Sequence, residues 1–481
     1  MKNMKKIVAL LLATVMVMAM SLSAFAAEEG DEPAAATGSI TITVPTTQTA
    51  PTKPTVYNIY KVFDATVNAD DTSKVSYKLC EGDTLSAEMT AAGFSVDTAG
   101  NVSGPTSLDD KAIAAIAAYV TEADLVKTVT AAVGDATVTA SDLPYGYYYI
   151  TTTSGTVVTI DSNNNNPTVN DKNIIPKVVK SAGTEYSAEA MAAIDAVGTD
   201  QSYVAQIDIG KGAKNLVFTD TMTNQTYNGD AKVTVDGSEV TAGSDTFTIS
   251  GAAGDSTFTI TFADSYIAGL KDDTIITINY SGKITSDALS VDPATNTAKI
   301  TSGEGNESTS EPVKVYNAKI TVTKQDGDKK PLAGAGFVLK NAQGAYYKLN
   351  AATTTAPATI TWYTLPEGTE LAAAIAAGNI TEYTSDAQGA VPAFTGLDNG
   401  TYTLVESTVP AGYNKADDQN IEIKDKDYTV DNLEKTATVT NNSGTELPST
   451  GGIGTTMFYV VGSILVIGAA VVLISRRRMS R

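Results

Sequence analysis

Three residue types recur in one order along this 481-residue chain, and together they could make a covalent bond. In "GTYTLVESTVPAGYN" (400–414), strand alternation puts Tyr402, Leu404 and Glu406 on one side and Thr401, Thr403 and Val405 on the other. Tyr402 and Leu404 mark the first side as the core, where an unpaired carboxylate is too costly to keep. "NAKITVTKQDG" sets Ile320, Val322 and Lys324 in one inward row, and "TATVTNNSG" sets Ala437, Val439 and Asn441 in another. The same order stands earlier in the chain. Val178 aligns with Lys180, Leu216 and Phe218 with Asp220, and Asn296 with Ala298 and Ile300, at a nearly equal separation of Lys from Asn. Strand parity selects Asn441, although Asn442 adjoins it.

Burial explains what such a trio can do. Desolvation lowers the pKa of a lysine and raises that of a carboxylic acid, so the two can sit neutral side by side. A neutral amine held against a carboxamide is a nucleophile with the advantage of fixed proximity. The acid, Asp220 or Glu406, can shuttle protons and help ammonia leave. The products would be the amides Lys180–Asn296 and Lys324–Asn441, each made once and never turned over, so the chain is not expected to be an enzyme. The alternative is an ordinary buried ion pair capped by Asn.

Composition narrows the field. Cys80 is the only cysteine, so no intrachain disulfide exists, and histidine is absent. The missing histidines remove Ser-His-Asp and Cys-His triads and most zinc sites; no metal and no cofactor are expected. A net charge of −21 argues against nucleic acid as a partner.

The trios need strands to position them. Short alternating runs of Thr, Val, Ile and Tyr, broken by turns such as "VDGS" and "NAQG", predict a mostly β protein of tandem sandwiches. One stretch, "SLDDKAIAAIAAYV", has Ile113, Ile116, Ala117 and Val120 at helical spacing, with Ser107 and Asp110 as the cap signal. Polar, turn-rich segments divide the chain into domains at 27–172, 173–314 and 315–445. Residues 1–26 have lysines, an apolar run and Ala24-Phe25-Ala26, which predicts a cleaved signal peptide. Residues 446–481 hold Leu447-Pro448-Ser449-Thr450-Gly451, an uncharged run from Met457 to Ile474 and four arginines, which predicts a transmembrane helix with a cytoplasmic basic end.

The LPSTG pentapeptide, apolar span and basic tail resemble the LPXTG sorting signal of Gram-positive surface proteins. In that family a sortase cuts between threonine and glycine, here Thr450 and Gly451, and passes the threonine carbonyl to an amine. "YTLVESTVPAGY" resembles the YxLxExxxPxGY E-box of pilin and adhesin domains, with Tyr402, Leu404, Glu406, Pro410, Gly412 and Tyr413 at its fixed positions. The last domain is thus similar to CnaB-type, and the middle one to CnaA-type, isopeptide-forming immunoglobulin-like domains. In the first domain "LPYGYYYITTTSG" resembles the same frame, but Thr152 stands where the acid would be, so no cross-link is expected there. Resemblance to a sortase-assembled pilin implies a linking lysine near the end of the first domain, in a motif similar to YPKN. "VNDKNIIPKVVK" offers Lys172, preferred, or Lys177, which keeps the Pro-Lys pair. The resemblance further implies a pilus class sortase and a housekeeping sortase, copies of the chain itself, minor pilins and peptidoglycan as partners, and a cell-wall location. A monomeric wall-anchored adhesin is the alternative.

Overall fold

A computed structural model describes residues 15–16, 37–45, 50–67, 75–106, 108–154, 158–160, 167–271, 274–285, 293–353, 358–444 and 453–479. The protein is mostly β, as its alternating pattern predicts. Its main strands are β1 (Thr37–Thr43), β2 (Thr55–Val67), β3 (Leu125–Ala131), β4 (Thr137–Pro144), β5 (Gly146–Thr152), β6 (Thr168–Asp171), β7 (Lys177–Ala182), β8 (Asp200–Asp208), β9 (Val217–Thr223), β10 (Ile275–Ile284), β11 (Ala294–Ser302), β12 (Ala318–Asp326), β13 (Gly336–Lys340), β14 (Ala390–Leu397), β15 (Gly400–Thr408) and β16 (Glu434–Asn441).

Three sandwiches follow one another, each closed around its own core. In the first, β2 pairs with β3 and β5, and the facing sheet joins β6, β1 and β4. Helix α1 (Asp110–Tyr119) lies on this core, with Ile113 and Ile116 buried. Its N-cap is Asp109, whose carboxylate accepts from Ala112 N at 2.8 Å, and not the expected Ser107, which lies outside the described residues. An Asp one residue before the first helical position reaches the orphan N–H groups directly.

In the middle sandwich β7 and β10 flank β8 in one sheet, and β9 and β11 are neighbours in the other. In the last, β12 lies between β14 and β16, pairing β16 in parallel, while β13 and β15 are neighbours in the facing sheet. Val405 of β15, on the face opposite Glu406, is also buried. Helix α2 (Leu371–Ala376) covers it, with Val338, Ala374 and Ile380 in a second small core. The sandwiches touch end to end. Lys214 Nζ donates to Thr152 O at 3.1 Å, Glu304 N to Thr153 O at 3.0 Å, and Tyr428 OH to Ala192 O at 2.8 Å.

At the C-terminus helix α3 (Ile453–Met479) is apolar and unburied from Met457 to Arg477 and is long enough to cross a membrane. The signal-peptide cleavage site and the LPSTG motif, with Thr450 and Gly451, lie outside the described residues.

Candidate functional site

In the middle sandwich, β7 aims Lys180 inward from one sheet, and β9 and β11 supply the acid and the amide from the other. Asp220 pairs with Ala298 and Met222 with Asn296, so Asn296 stands one diagonal step from Asp220 on the same face. All three side chains are buried. Lys180 Nζ donates to Asp220 Oδ2 at 2.6 Å and lies 4.8 and 5.1 Å from the ring centres of Tyr203 and Tyr280. Burial pushes the Lys180 amine down to about 8 and the Asp220 carboxyl up; the attraction between the two opposes both shifts and does not cancel them. Desolvation therefore favours a neutral amine beside a neutral acid. The Tyr280 hydroxyl donates to the same Oδ2. Asp220 Oδ1 has no hydrogen-bond partner. The Asn296 carboxamide sits against Asp220, Tyr203 and Tyr280, yet neither its nitrogen nor its oxygen is aligned in a hydrogen bond. A buried amide without partners costs on the order of 1–3 kcal/mol per group.

The last sandwich builds its trio differently. Lys324 pairs with Val439 across the parallel β12–β16 ladder, which puts Asn441 two residues on and on the same inward face. Asn441 is buried and Asn442 exposed, so Asn441 is the one that faces inward. Glu406 reaches in from β15: its Oε1 accepts from Asn441 Nδ2 at 2.7 Å and its Oε2 from Ala416 N at 2.8 Å. The "VPAGY" turn makes the second contact possible. Gly412 adopts φ +86°, and Asn414 N donates to Asn442 O at 3.0 Å, which returns the chain over the acid. Lys324 is fully buried, and burial lowers its pKa while Glu406 raises it. Its Nζ donates to Gln325 O at 3.1 Å and Val439 O at 3.3 Å and does not hydrogen-bond the acid. Gly389 fits here because a Cβ would lie 2.2 Å from the Lys324 carbonyl oxygen.

In the first sandwich Thr152 is buried, and an acid comes to it from another strand. Asp171, at the end of β6, accepts through Oδ2 from Tyr57 OH at 2.7 Å, Ser154 Oγ at 2.6 Å and Thr152 Oγ1 at 3.5 Å. Its Oδ1 accepts from Asn173 N at 3.0 Å and Asn173 Nδ2 at 2.6 Å. Among the described residues no lysine pairs with it; Lys61 pairs with Asp64, and Lys74 lies outside them. The alternation of Val169 with Asp171 is the sequence signal that could have revealed this inward acid. Lys172 is exposed between buried Asp171 and buried Asn173, whereas Lys177 is half-buried in the β7–β8 ladder opposite Asp208. Tyr280 and the Ala416 N–H were missed because one resembles an ordinary core residue and the other is backbone.

Residues 318–437 match the SpaA family, described as a prealbumin-like fold domain, and residues 439–480 match the Gram-positive LPXTG cell wall anchor motif. The C-terminal third thus matches a SpaA domain followed by a wall anchor, in keeping with the resemblance to a sortase-assembled pilin, and the anchor motif places the protein at the cell wall. Solved structures of pilus proteins are similar. The group B streptococcus pilus 2b backbone protein is 27% identical, with 56% of this chain and 99% of that one covered, at a TM-score of 0.41. Full-length RrgB from Streptococcus pneumoniae is 14% identical over 86% and 98%, at 0.49. BcpA, the major pilin subunit of Bacillus cereus, is 17% identical over 85% and 100%, at 0.40. No curated protein sequence matches the chain significantly.

Asp171→Ala orphans the donors of Tyr57, Ser154 and Asn173 and should destabilise the first sandwich by about 3 kcal/mol or more. Urea unfolding followed by limited proteolysis of residues 37–171 would measure it; an unchanged midpoint would contradict the role given to this carboxylate. In the last sandwich, Asn441→Ala should lower the melting temperature strongly and Asn442→Ala hardly at all, as read by calorimetry. Equal effects would mean that burial does not distinguish the two.

Proposed function

We propose that the protein is the major, shaft-forming subunit of a surface pilus, polymerised by a pilus class sortase and finally joined to peptidoglycan by a housekeeping sortase. In this reading the sortase cleaves between Thr450 and Gly451, and the threonine carbonyl passes to Lys172 of another copy. The observation that carries it is the setting of Lys172. The residue is exposed while both chain neighbours, Asp171 and Asn173, are buried, at the end of the first sandwich. An exposed lysine between buried neighbours suits attack on an acyl-enzyme, because less conformational freedom remains to be lost.

Inside each subunit, Lys180–Asn296 and Lys324–Asn441 are read as isopeptide bonds, with Asp220 and Glu406 as proton carriers. The ammonium gives one proton to the acid, and the neutral amine attacks Cγ of the asparagine. A second proton passes through the acid to the leaving nitrogen, which departs as ammonia; the third stays on the new amide. One proton remains on the acid. The raised pKa of Asp220 favours that end state. In the last sandwich, Glu406 already contacts the nitrogen that must leave.

Lys172→Ala should abolish the high-mass ladder in immunoblots of cell-wall extract while monomer stays attached to the wall. Lys177→Ala should leave the ladder intact. A ladder lost only in Lys177→Ala would move the link to that residue. A single band from the unaltered protein would instead mean a wall-anchored adhesin.

A further inference from the structure

The two trios hold their acids in different ways, and this difference has a consequence for the middle sandwich. Glu406 divides its oxygens between a backbone N–H and the amide of Asn441. Asp220 has no backbone donor among the described residues: Lys180 and Tyr280 both meet Oδ2, Oδ1 has no hydrogen-bond partner, and the Asn296 carboxamide lies against the same carboxyl. Without the Tyr280 hydroxyl, Oδ2 would keep only the amine, and the carboxyl could turn about its Cβ–Cγ bond to bring both oxygens toward it.

We infer that Tyr280 is a positioning residue for the Lys180–Asn296 bond: its hydroxyl fixes the Asp220 carboxyl so that one oxygen faces the amine and the other the amide. The inference rests on the cross-link reading above. Three features support it. Tyr280 lies on β10, in the same sheet as Lys180 and directly opposite Tyr203, so its hydroxyl crosses the core to reach the acid. Its ring is clamped edge-on by Phe218 and Phe258, at 6.4 and 4.9 Å between centres, which leaves the hydroxyl little freedom. Its proton is also not for release, because burial and the adjacent carboxylate raise the phenol well above its ordinary range. Tyr280 therefore donates a hydrogen bond and stays a phenol throughout, and the protons balance among Lys180, Asp220 and the leaving nitrogen without it.

The test uses the full ectodomain made by cell-free translation, stopped at intervals and analysed for linked peptides by mass spectrometry. Tyr280→Phe keeps the ring and its packing and should slow formation of the Lys180–Asn296 linked pair about tenfold, the worth of one buried hydrogen bond. The Lys324–Asn441 pair in the same molecules should form at the unaltered rate, which shows that the chain folds. Tyr227→Phe removes another hydroxyl of the same core, one that accepts from Ala231 N, and should leave both rates unchanged. Slowing by Tyr227→Phe equal to that by Tyr280→Phe would reduce Tyr280 to a packing residue. A wild-type rate in Tyr280→Phe would overturn the inference while leaving the cross-link in place. Absence of the linked pair from the unaltered protein would overturn the cross-link reading itself, and this inference with it.

Discussion

The middle and last sandwiches depend on a lysine that cannot reach water. Lys180 and Lys324 extend apolar rows to the centre of their cores, and an ammonium there is stable only beside groups that compensate for lost hydration. A buried ion pair would be a weak reward for that cost, because desolvation consumes most of the Coulomb attraction. A reaction that removes both charges is a better resolution. The middle site is disposed toward it: burial moves amine and acid toward their neutral forms, and the amide beside them has no hydrogen bond to lose.

Topology gives such a bond its mechanical meaning. β12 and β16 enter and leave the last sandwich as parallel neighbours, and Lys324 and Asn441 lie on them. A covalent link there would carry tension from the first strand straight to the last, sparing the chain between. In the middle sandwich Lys180 is likewise on an early strand and Asn296 on a late one. Closing a loop of about 100 residues stabilises by up to ~4–5 kcal/mol in the chain-entropy account, the part that disulfides play in other exported proteins. With one cysteine, this chain has no disulfide of its own to do so.

Much of this was legible in the sequence because a strand has a period of two. Alternation alone placed Lys180, Asp220, Asn296, Lys324, Glu406 and Asn441 on inward faces, and it separated Asn441 from Asn442. It could not foresee partners that come from other strands or from backbone. Asp171 reaches Thr152 from the end of β6 in the facing sheet, Ala416 caps Glu406 through the fold of a turn, and Val405 is buried by a short helix. Nor does parity fix distance, which is why Lys324 faces the right neighbours while its amine is hydrogen-bonded to carbonyls instead of to Glu406.

The most direct measurement is the intact mass of the soluble ectodomain, residues 27–444, in the unaltered protein and in Asp220→Ala, Glu406→Gln and the double variant. The account predicts a mass two ammonias below that of the sequence for the unaltered protein, one below for each single variant and none for the double. An unaltered protein with the full mass of its sequence would contradict it and leave the inward Lys, acid and Asn as a buried polar network.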